Sequence, residues 1–487
     1  MTDTNQPQPW WRDRVLWPIV LLATILRLSL LGHKSLWLDE AATYTLATDS
    51  WHAFAREWWA REANATAYYM LEKGWLLFGR SEWMLRFSSA VFGVMGVIWT
   101  YVYAKRAFGG RVAWIAAFLL AVNPAHVDHS QEARFYPMAM WLVLCASLLL
   151  LRAIEEGGAR WWTAYVLVGT LAVYSHVFAS LVLVAHAVSL GWVPLEQRRW
   201  RPALLAGFCF FLLCAPILFF LARQGHTIST TFIPPVSAKE LFRLFQFYSG
   251  SGLKFILAIV LWGIGLWQIG KLWRLATKDP FARWRIVMLL SWILVPIALL
   301  AAVSLRQPMF GFKYLLFSLP AILVLAATGA AALPRYARWG VLAALSIASC
   351  VTVVAGYKKP IEDWRSVSAY VQENFQPGDA IAFSPPYSRN ALDYYWDRGG
   401  VEGLKFLAPK PLVGNMEADN VAEANPAALL AACKECRRVW LVEYGTDAPP
   451  PEAQERMHVM VAAMPAGDQL RLTKDFRNLR LYLYAPQ

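Results

Sequence analysis

Charged side chains are scarce in this chain: Asp, Glu, Lys and Arg supply 16% of its 487 residues, where soluble domains carry about 25%. With 57% of the residues hydrophobic, too few polar groups remain to cover a water-facing core of this length. A wholly soluble protein is therefore excluded. Cysteine is sparse as well, with six in all. Cys145, Cys209, Cys214 and Cys350 lie in apolar runs and read as small buried hydrophobes. Cys433 and Cys436 form a lone CxxC without the second pair that a zinc ribbon needs. Two readings of that pair stay open: a local disulfide, if the region lies outside the cytoplasm, or an idle helical pair. The first apolar segment lacks a small-residue cleavage site and is expected to remain as a signal anchor.

What the chain has instead is a series of apolar runs from Val15 to Ala355. A bilayer-spanning helix needs about 20 mostly apolar residues. Eleven segments meet that description, near 15–32, 84–104, 112–126, 136–152, 161–175, 177–194, 202–222, 252–270, 286–304, 314–333 and 339–356. The net charge of +13 suggests a nucleic-acid surface until the chain is divided. Residues 1–356 carry 31 Lys+Arg against 16 Asp+Glu, and residues 357–487 carry 15 against 17. The whole excess lies in the membrane part, where basic residues set topology, so nucleic acid is not the expected partner. Seventeen of those 31 fall in 12–14, 105–111, 152–160, 198–201, 271–285 and 335–338, which alternate with the spans. By the positive-inside rule these stretches and the N-terminus are cytoplasmic. The segments 33–83, 127–135, 223–251, 305–313 and 357–487 then face outward.

Two domains follow: a membrane domain over 1–356, with a long first outward loop at 33–83, and an extracytoplasmic domain over 357–487. In that loop Trp51, Phe54, Trp58 and Trp59 recur on one helical face, which fits a helix along the membrane interface or an ordinary packed loop helix. Past Gly356, Glu362 to Phe375 reads as an amphipathic helix. Short apolar runs at 380–383, 439–442 and 479–484 read as strands of a small α/β domain, which has no Gly-rich phosphate loop.

Three outward clusters can carry chemistry. Asp39 and Glu40 stand just beyond the first span between apolar residues, where charges are costly and often functional. A carboxylate there can take the proton of an attacking hydroxyl; the plainer reading is a helix start that favours acids. In Asp128-His129-Ser130-Gln131-Glu132-Ala133-Arg134-Phe135-Tyr136, the Arg134 fork can clamp a phosphate with Glu132 holding it, against a structural ion pair. His126, Asp128 and His129 are weak candidates for a divalent metal, without a diagnostic spacing. In the third cluster, Arg306 to Tyr314, Lys313 can neutralise a phosphate or snorkel to lipid head groups. Arg27 lies within the first span, where snorkelling and pairing with a carboxylate are both open. Asn64-Ala65-Thr66 is a sequon too common to carry meaning. Nucleotide sugars are cytoplasmic, so outward reactive loops need a donor carried in the membrane, and a polyprenyl-phosphate sugar fits.

Leu36-Trp37-Leu38-Asp39-Glu40-Ala41 and Ser130-Gln131-Glu132-Ala133-Arg134-Phe135-Tyr136 resemble the bacterial glycosyltransferases related to protein O-mannosyltransferases and the lipid A aminoarabinose transferase. Tyr68-Tyr69-Met70-Leu71 through Trp75, Phe78 to Glu82, Leu85-Arg86-Phe87 and Lys313-Tyr314 through Pro320 extend the likeness over roughly 15–335. The resemblance implies a GT-C type α-helical polytopic membrane protein of the bacterial inner membrane, with a C-terminal extracytoplasmic α/β domain. It implies an inverting transferase using a polyprenyl-phosphate sugar, with a glycan, lipid or protein acceptor. Asp39 becomes the base with Glu40 beside it, and Glu132, Arg134, Tyr136, Lys313, Arg306 and Tyr69 the donor or substrate contacts. One departure stands out: Asn64-Ala65-Thr66-Ala67 precedes Tyr68 where the family often has His or Asp followed by Pro-Pro. The rival reading, a transporter or lipid flippase, calls for ionisable residues at the bilayer midplane and internal repeats. Asp39, Glu132, Arg134 and Lys313 are expected to meet at the outer rim.

Overall fold

The computed structural model describes residues 9–60, 64–224, 233–276, 279–399, 402–407, 436–447, 461 and 469–486. Apolar runs in a bilayer have no water to satisfy their backbone groups, so they close their hydrogen bonds within helices. Helices lie on all eleven expected segments. Seven of them are unbroken and long enough to cross a membrane: Glu82–Phe108, Tyr136–Glu155, Trp200–Arg223, Leu253–Leu275, Ala282–Ser304, Phe312–Ala332 and Arg335–Tyr357. Gly110–Val122 and Pro124–Ser130 make an eighth if taken together, bent by 60°. Leu16–Leu28 and Val177–Trp192 are shorter apolar helices, and Ala159–Ser175 has 17 residues. By length and composition the described residues thus give seven or eight crossings where the sequence suggests eleven.

The helices Tyr136–Glu155 and Phe312–Ala332 are mostly buried and form the centre, while Trp200–Arg223, Leu253–Leu275 and Arg335–Tyr357 turn apolar faces outward. Leu253–Leu275 and Leu319–Ala332 cross closely. A Cβ on Gly329 would stand 2.0 Å from the Leu261 carbonyl oxygen, so glycine is what lets the backbones touch.

The 60° bend has a local cause. Asn123 caps the second helix by accepting from the His126 amide, and Pro124 sits in its first turn, where its missing N–H costs nothing. The bend frees carbonyls at the end of the first helix, and Arg27 donates to two of them, Ala121 at 3.1 Å and Leu120 at 3.2 Å. Arg27 also donates to Ala23 O and to His126 Nδ1, the latter at 2.6 Å, and is fully buried. It neither snorkels nor pairs with a carboxylate, correcting both sequence readings.

The long first loop, 33–83, contains the helices Leu38–Thr48, Trp51–Ala60 and Thr66–Trp75. In the second, Phe54 is buried and Trp51 is exposed, with the Lys73 ammonium over both rings. The side chains of Trp58 and Trp59 lie outside the described residues.

Beyond the last membrane helix, Asp363 caps the helix Trp364–Asn374 by accepting from Ser366 N. Among the described residues five strands follow, β1 (Asp379–Ser384), β2 (Lys405–Phe406), β3 (Arg438–Tyr444), β4 (Gln469–Phe476) and β5 (Leu479–Ala485), in the order β2-β1-β3-β5-β4. β1 runs parallel to β2 and β3 and is buried throughout, whereas β5 is antiparallel to β3 and β4. The core of this region combines Trp364, Val367, Ile381, Phe383, Trp440 and Leu481 with two residues from far away in sequence, Leu38 and Ala41. The first turn of the Leu38–Thr48 helix is thus sunk into the C-terminal fold. Cys436 is disulfide-bonded, and Cys433 lies outside the described residues.

Candidate active site

Three loops meet above the bundle. The first carries Asp39, in the opening turn of Leu38–Thr48, where the helix dipole favours an acid. The second, 131–135, links the bent helix pair to Tyr136–Glu155. It is held by Gln131, whose Nε2 donates to Arg27 O and Ser29 O, and by Ser89, which donates to Arg134 O at 2.9 Å. The third is the 3-10 turn Phe312–Ser318, which presents Lys313.

These loops bring Asp39, Arg134 and Lys313 together. Lys313 Nζ lies 3.3 Å and Arg134 Nη2 3.5 Å from the same oxygen, Asp39 Oδ2. Arg134 Nη1 also donates to the Asp39 carbonyl at 3.0 Å. Burial by itself would raise the Asp39 carboxyl, but the charges of Arg134 and Lys313 outweigh it and hold the group below its usual value. The Asp39 side chain remains 28% exposed, so it can reach a substrate.

Aromatic rings wall this group. Lys313 Nζ stands 5.2 Å from the Trp37 ring centroid and 5.8 Å from that of Tyr136, and the Arg134 guanidinium lies 4.7 Å from that of Phe135. Tyr69 is buried edge-on against Phe135. His176 packs on Phe135, Tyr136 and Tyr314. Arg134 Nε, Trp37 Nε1 and His176 Nε2 are buried without a hydrogen-bond partner, in a site that also holds two cations against one carboxylate. Buried donors left open in this way are what a missing anion would satisfy.

Other expected members of the site have different partners. Glu40 is fully buried. Its Oε1 accepts from Arg86 Nε at 2.7 Å and Ala133 N at 2.8 Å, and its Oε2 from Arg86 Nη2 at 2.6 Å. Arg86 in turn donates to the carbonyls of Leu31, Lys34 and Ser35. Glu40 thus ties these loops together. Glu132 is bonded to His129 Nδ1 at 2.9 Å, so it is Asp39, and not Glu132, that holds the Arg134 side chain. Arg306 is exposed past the end of Ala282–Ser304 and stays outside the ion group. The metal candidates diverge: His126 faces Arg27, Asp128 pairs with Lys34, and His129 pairs with Glu132. Among the described residues no three His, Cys, Asp or Glu side chains form a group able to hold a metal ion.

Sequence reasoning passed over His176 and Arg86. His176 had a signal, since Ser175-His176 is a polar break between two short apolar helices. Arg86 had one too, as a lone cation at the start of a long apolar run.

Comparison with known proteins adds to this geometry. Residues 65–220 match the family described as dolichyl-phosphate-mannose-protein mannosyltransferase. The chain is 27% identical over 158 residues to the putative mannosyltransferase YkcB of Bacillus subtilis (strain 168), covering 30% of this chain and 22% of that protein. It is 29% identical over 166 residues to the putative mannosyltransferase YycA of the same organism, covering 31% of this chain and 24% of that protein. The aligned part therefore spans less than a quarter of the length of these curated relatives. Among solved structures, ArnT from Cupriavidus metallidurans bound to undecaprenyl phosphate superposes with a TM-score of 0.63 at 13% identity, covering 96% of this chain and 97% of that one. The apo Archaeoglobus fulgidus oligosaccharyltransferase gives a TM-score of 0.52 at 12% identity, covering 94% and 71%. At these identities it is the fold that is shared, and that fold is the GT-C membrane architecture with a small C-terminal sheet domain.

Proposed function

We propose that this GT-C membrane protein is an inverting glycosyltransferase that moves a sugar from a polyprenyl-phosphate donor to an acceptor hydroxyl on the extracytoplasmic face. The observation that carries this reading is the pair of cations on Asp39. Arg134 and Lys313 share one carboxylate at 3.3–3.5 Å, leaving an excess positive charge in a largely buried, aromatic-walled site. A sugar phosphate carried by a membrane lipid brings the anion that such a site lacks.

In this reading Asp39 accepts the proton of the acceptor hydroxyl as its oxygen attacks the sugar's anomeric carbon. The bond from that carbon to the phosphate oxygen breaks, and the electron pair leaves with the phosphate. Arg134 and Lys313 neutralise the charge that builds there. The arrangement also tunes the base. While both cations rest on Asp39 it is a weak proton acceptor; when a donor phosphate draws them away and stands beside it, its basicity rises. Tyr69, Tyr136, Trp37 and His176 shape the pocket around the sugar and phosphate. No step is routed through a metal, because the His126, Asp128 and His129 side chains point to separate partners.

Several facts support the setting. The matched family and relatives are described as mannosyltransferases, and ArnT is a protein whose solved structure holds undecaprenyl phosphate. The basic stretches, read by the positive-inside rule over the eleven apolar segments, support an extracytoplasmic position for Asp39 and residues 357–487. The disulfide at Cys436 fits an oxidising compartment for that domain.

The test is Asp39→Asn in purified protein given labelled polyprenyl-phosphate sugar. Turnover should fall by ~100-fold or more while the protein stays folded and still binds donor. Undiminished turnover in a folded Asp39→Asn protein removes the proposed base. Transport of an intact solute by wild type in liposomes would favour the transporter reading instead.

A further inference from the structure

The helix that presents Asp39 has only one long capping bond of its own, from the Trp37 amide to Glu40 Oε2 at 3.4 Å. Helix N-terminal amides need an acceptor, and local Ser, Thr, Asp or Asn side chains commonly supply it. Here the residue before the helix is Trp37, whose side chain has no acceptor oxygen. The acceptor comes from 324 residues away: Glu362 Oε2 takes the Leu38 amide at 3.0 Å. The same oxygen accepts from Trp364 Nε1 at 2.6 Å, and Glu362 is 1% exposed. It has no ion-pair partner among the described residues, and the Tyr444 hydroxyl is a further hydrogen-bonding neighbour of its carboxyl. Burial, aided by the nearby Asp39 charge, pushes that carboxyl up to about 7.

Glu362 does not act alone. Arg365 donates through Nη1 to His33 O at 2.8 Å and through Nη2 to Gly32 O, Lys34 O and Glu82 Oε1. The Tyr395 hydroxyl accepts from the Leu36 amide at 2.7 Å. From the other side, Arg86 grips Leu31, Lys34, Ser35 and Glu40. The strap from Leu31 to Glu40 is therefore held between the membrane helix Glu82–Phe108 and the C-terminal fold.

Resting on the proposed role of Asp39, we infer that Glu362 is a positioning residue: it caps the first turn of Leu38–Thr48 and sets the Asp39 carboxylate against Arg134 and Lys313. The C-terminal domain thereby helps to build the reaction centre. A misplacement of about 1 Å in a reacting group is enough for a ~100-fold loss of rate, so a remote cap has leverage.

The experiment measures kcat and donor KM for Glu362→Ala, Glu362→Gln and Tyr395→Phe, alone and with Asp39→Asn. Glu362→Ala should lose ~10–100-fold in kcat with donor KM within about twofold, since the phosphate cations are untouched. Glu362→Gln keeps an acceptor oxygen and should recover most of that loss. On the Asp39→Asn background, Glu362→Ala should change the residual turnover little, because the group it positions is already gone. Wild-type kcat in Glu362→Ala overturns the inference, and so does an equal loss on the Asp39→Asn background. If Glu362→Ala does not fold, Tyr395→Phe decides. It removes the acceptor for the Leu36 amide and the Ser35 hydroxyl while keeping the ring, and a kcat lowered several-fold at constant KM supports the clamp, whereas wild-type kcat removes it. Should Asp39→Asn itself keep full turnover, the proposed function falls first, and the two failures stay distinct.

Discussion

Two charge networks in this molecule can be set side by side. In the one built from residues 13, 105–106, 155–156 and 279–285, acids are at least as many as cations and the contacts are short. Lys105 meets Asp13 at 3.1 Å, Arg106 meets Glu155 at 2.7 Å and Glu156 at 2.8 Å, and Arg285 meets Glu155 and Asp279 at 2.6 Å each. In the Asp39 network the proportions are inverted, with two cations on one carboxylate at 3.3 and 3.5 Å. The first network is complete, and a complete network ties helices together. The second lacks an anion, and the donors left open on Arg134, Trp37 and His176 lie around the gap. Proteins use charge at a membrane boundary for both purposes, and stoichiometry distinguishes them better than the number of charges does.

The largest expected effect that would break this contrast is at Arg134. Arg134→Met removes the bonds to the Asp39 carbonyl and carboxylate together with one phosphate cation, and kcat/KM for the donor should fall by ~100–1000-fold. Lys313→Met removes a single, more exposed contact and should cost less, mainly through a raised donor KM. Thermal midpoints of both variants should stay near wild type, because each relieves an unbalanced cation. A drop in midpoint with unchanged turnover would make the Asp39 network structural after all.

Glu155→Gln inverts the logic. Glu155 is shared by Arg106 and Arg285, with side-chain exposures of 9%, 28% and 16%, so its loss leaves two partly buried cations short of a partner. Stability should fall by about 1–3 kcal/mol, less than for a fully buried pair, and show as a lower thermal midpoint in detergent. Donor turnover per folded molecule should be unchanged. Loss of turnover at a wild-type midpoint would erase the distinction between the two networks.

How much of this was legible in the chain depends on the range of the interaction. The apolar runs announce their helices because lipid leaves the backbone no other partner, and the positions of Asp39, Arg134 and Lys313 at run ends were readable for the same reason. Glu40 was placed beside Asp39 because the two are adjacent, whereas adjacent helical residues point about 100° apart and Glu40 turns to Arg86. What was not legible depends on distant groups. The acceptors for Arg27 are carbonyls freed by a bend some 94 residues away, and the cap on Leu38 comes from Glu362. β4 was missed because it is a mostly exposed edge strand without an apolar run, although Asn478, at φ 56°, marks the tight turn that pairs it with β5.

The smallest expected effect is the sharpest test of how the Asp39 network works. In the free enzyme the two cations hold the Asp39 carboxyl below its ordinary value of 3.8, so its ionised form persists until the pH falls below that value. The acid limb of kcat/KM reports the free enzyme and should lie below pH 3.8. The limb of kcat reports the donor complex, in which, on the proposed mechanism, the phosphate shares the cations and adds a negative charge beside Asp39. That limb should sit at higher pH. Lys313→Met removes one of the charges lowering Asp39, so it should raise the kcat/KM limb and narrow the gap between the two. Coincident limbs in wild type would mean that the cations never leave Asp39 when donor binds. The phosphate would then have to be met by other groups.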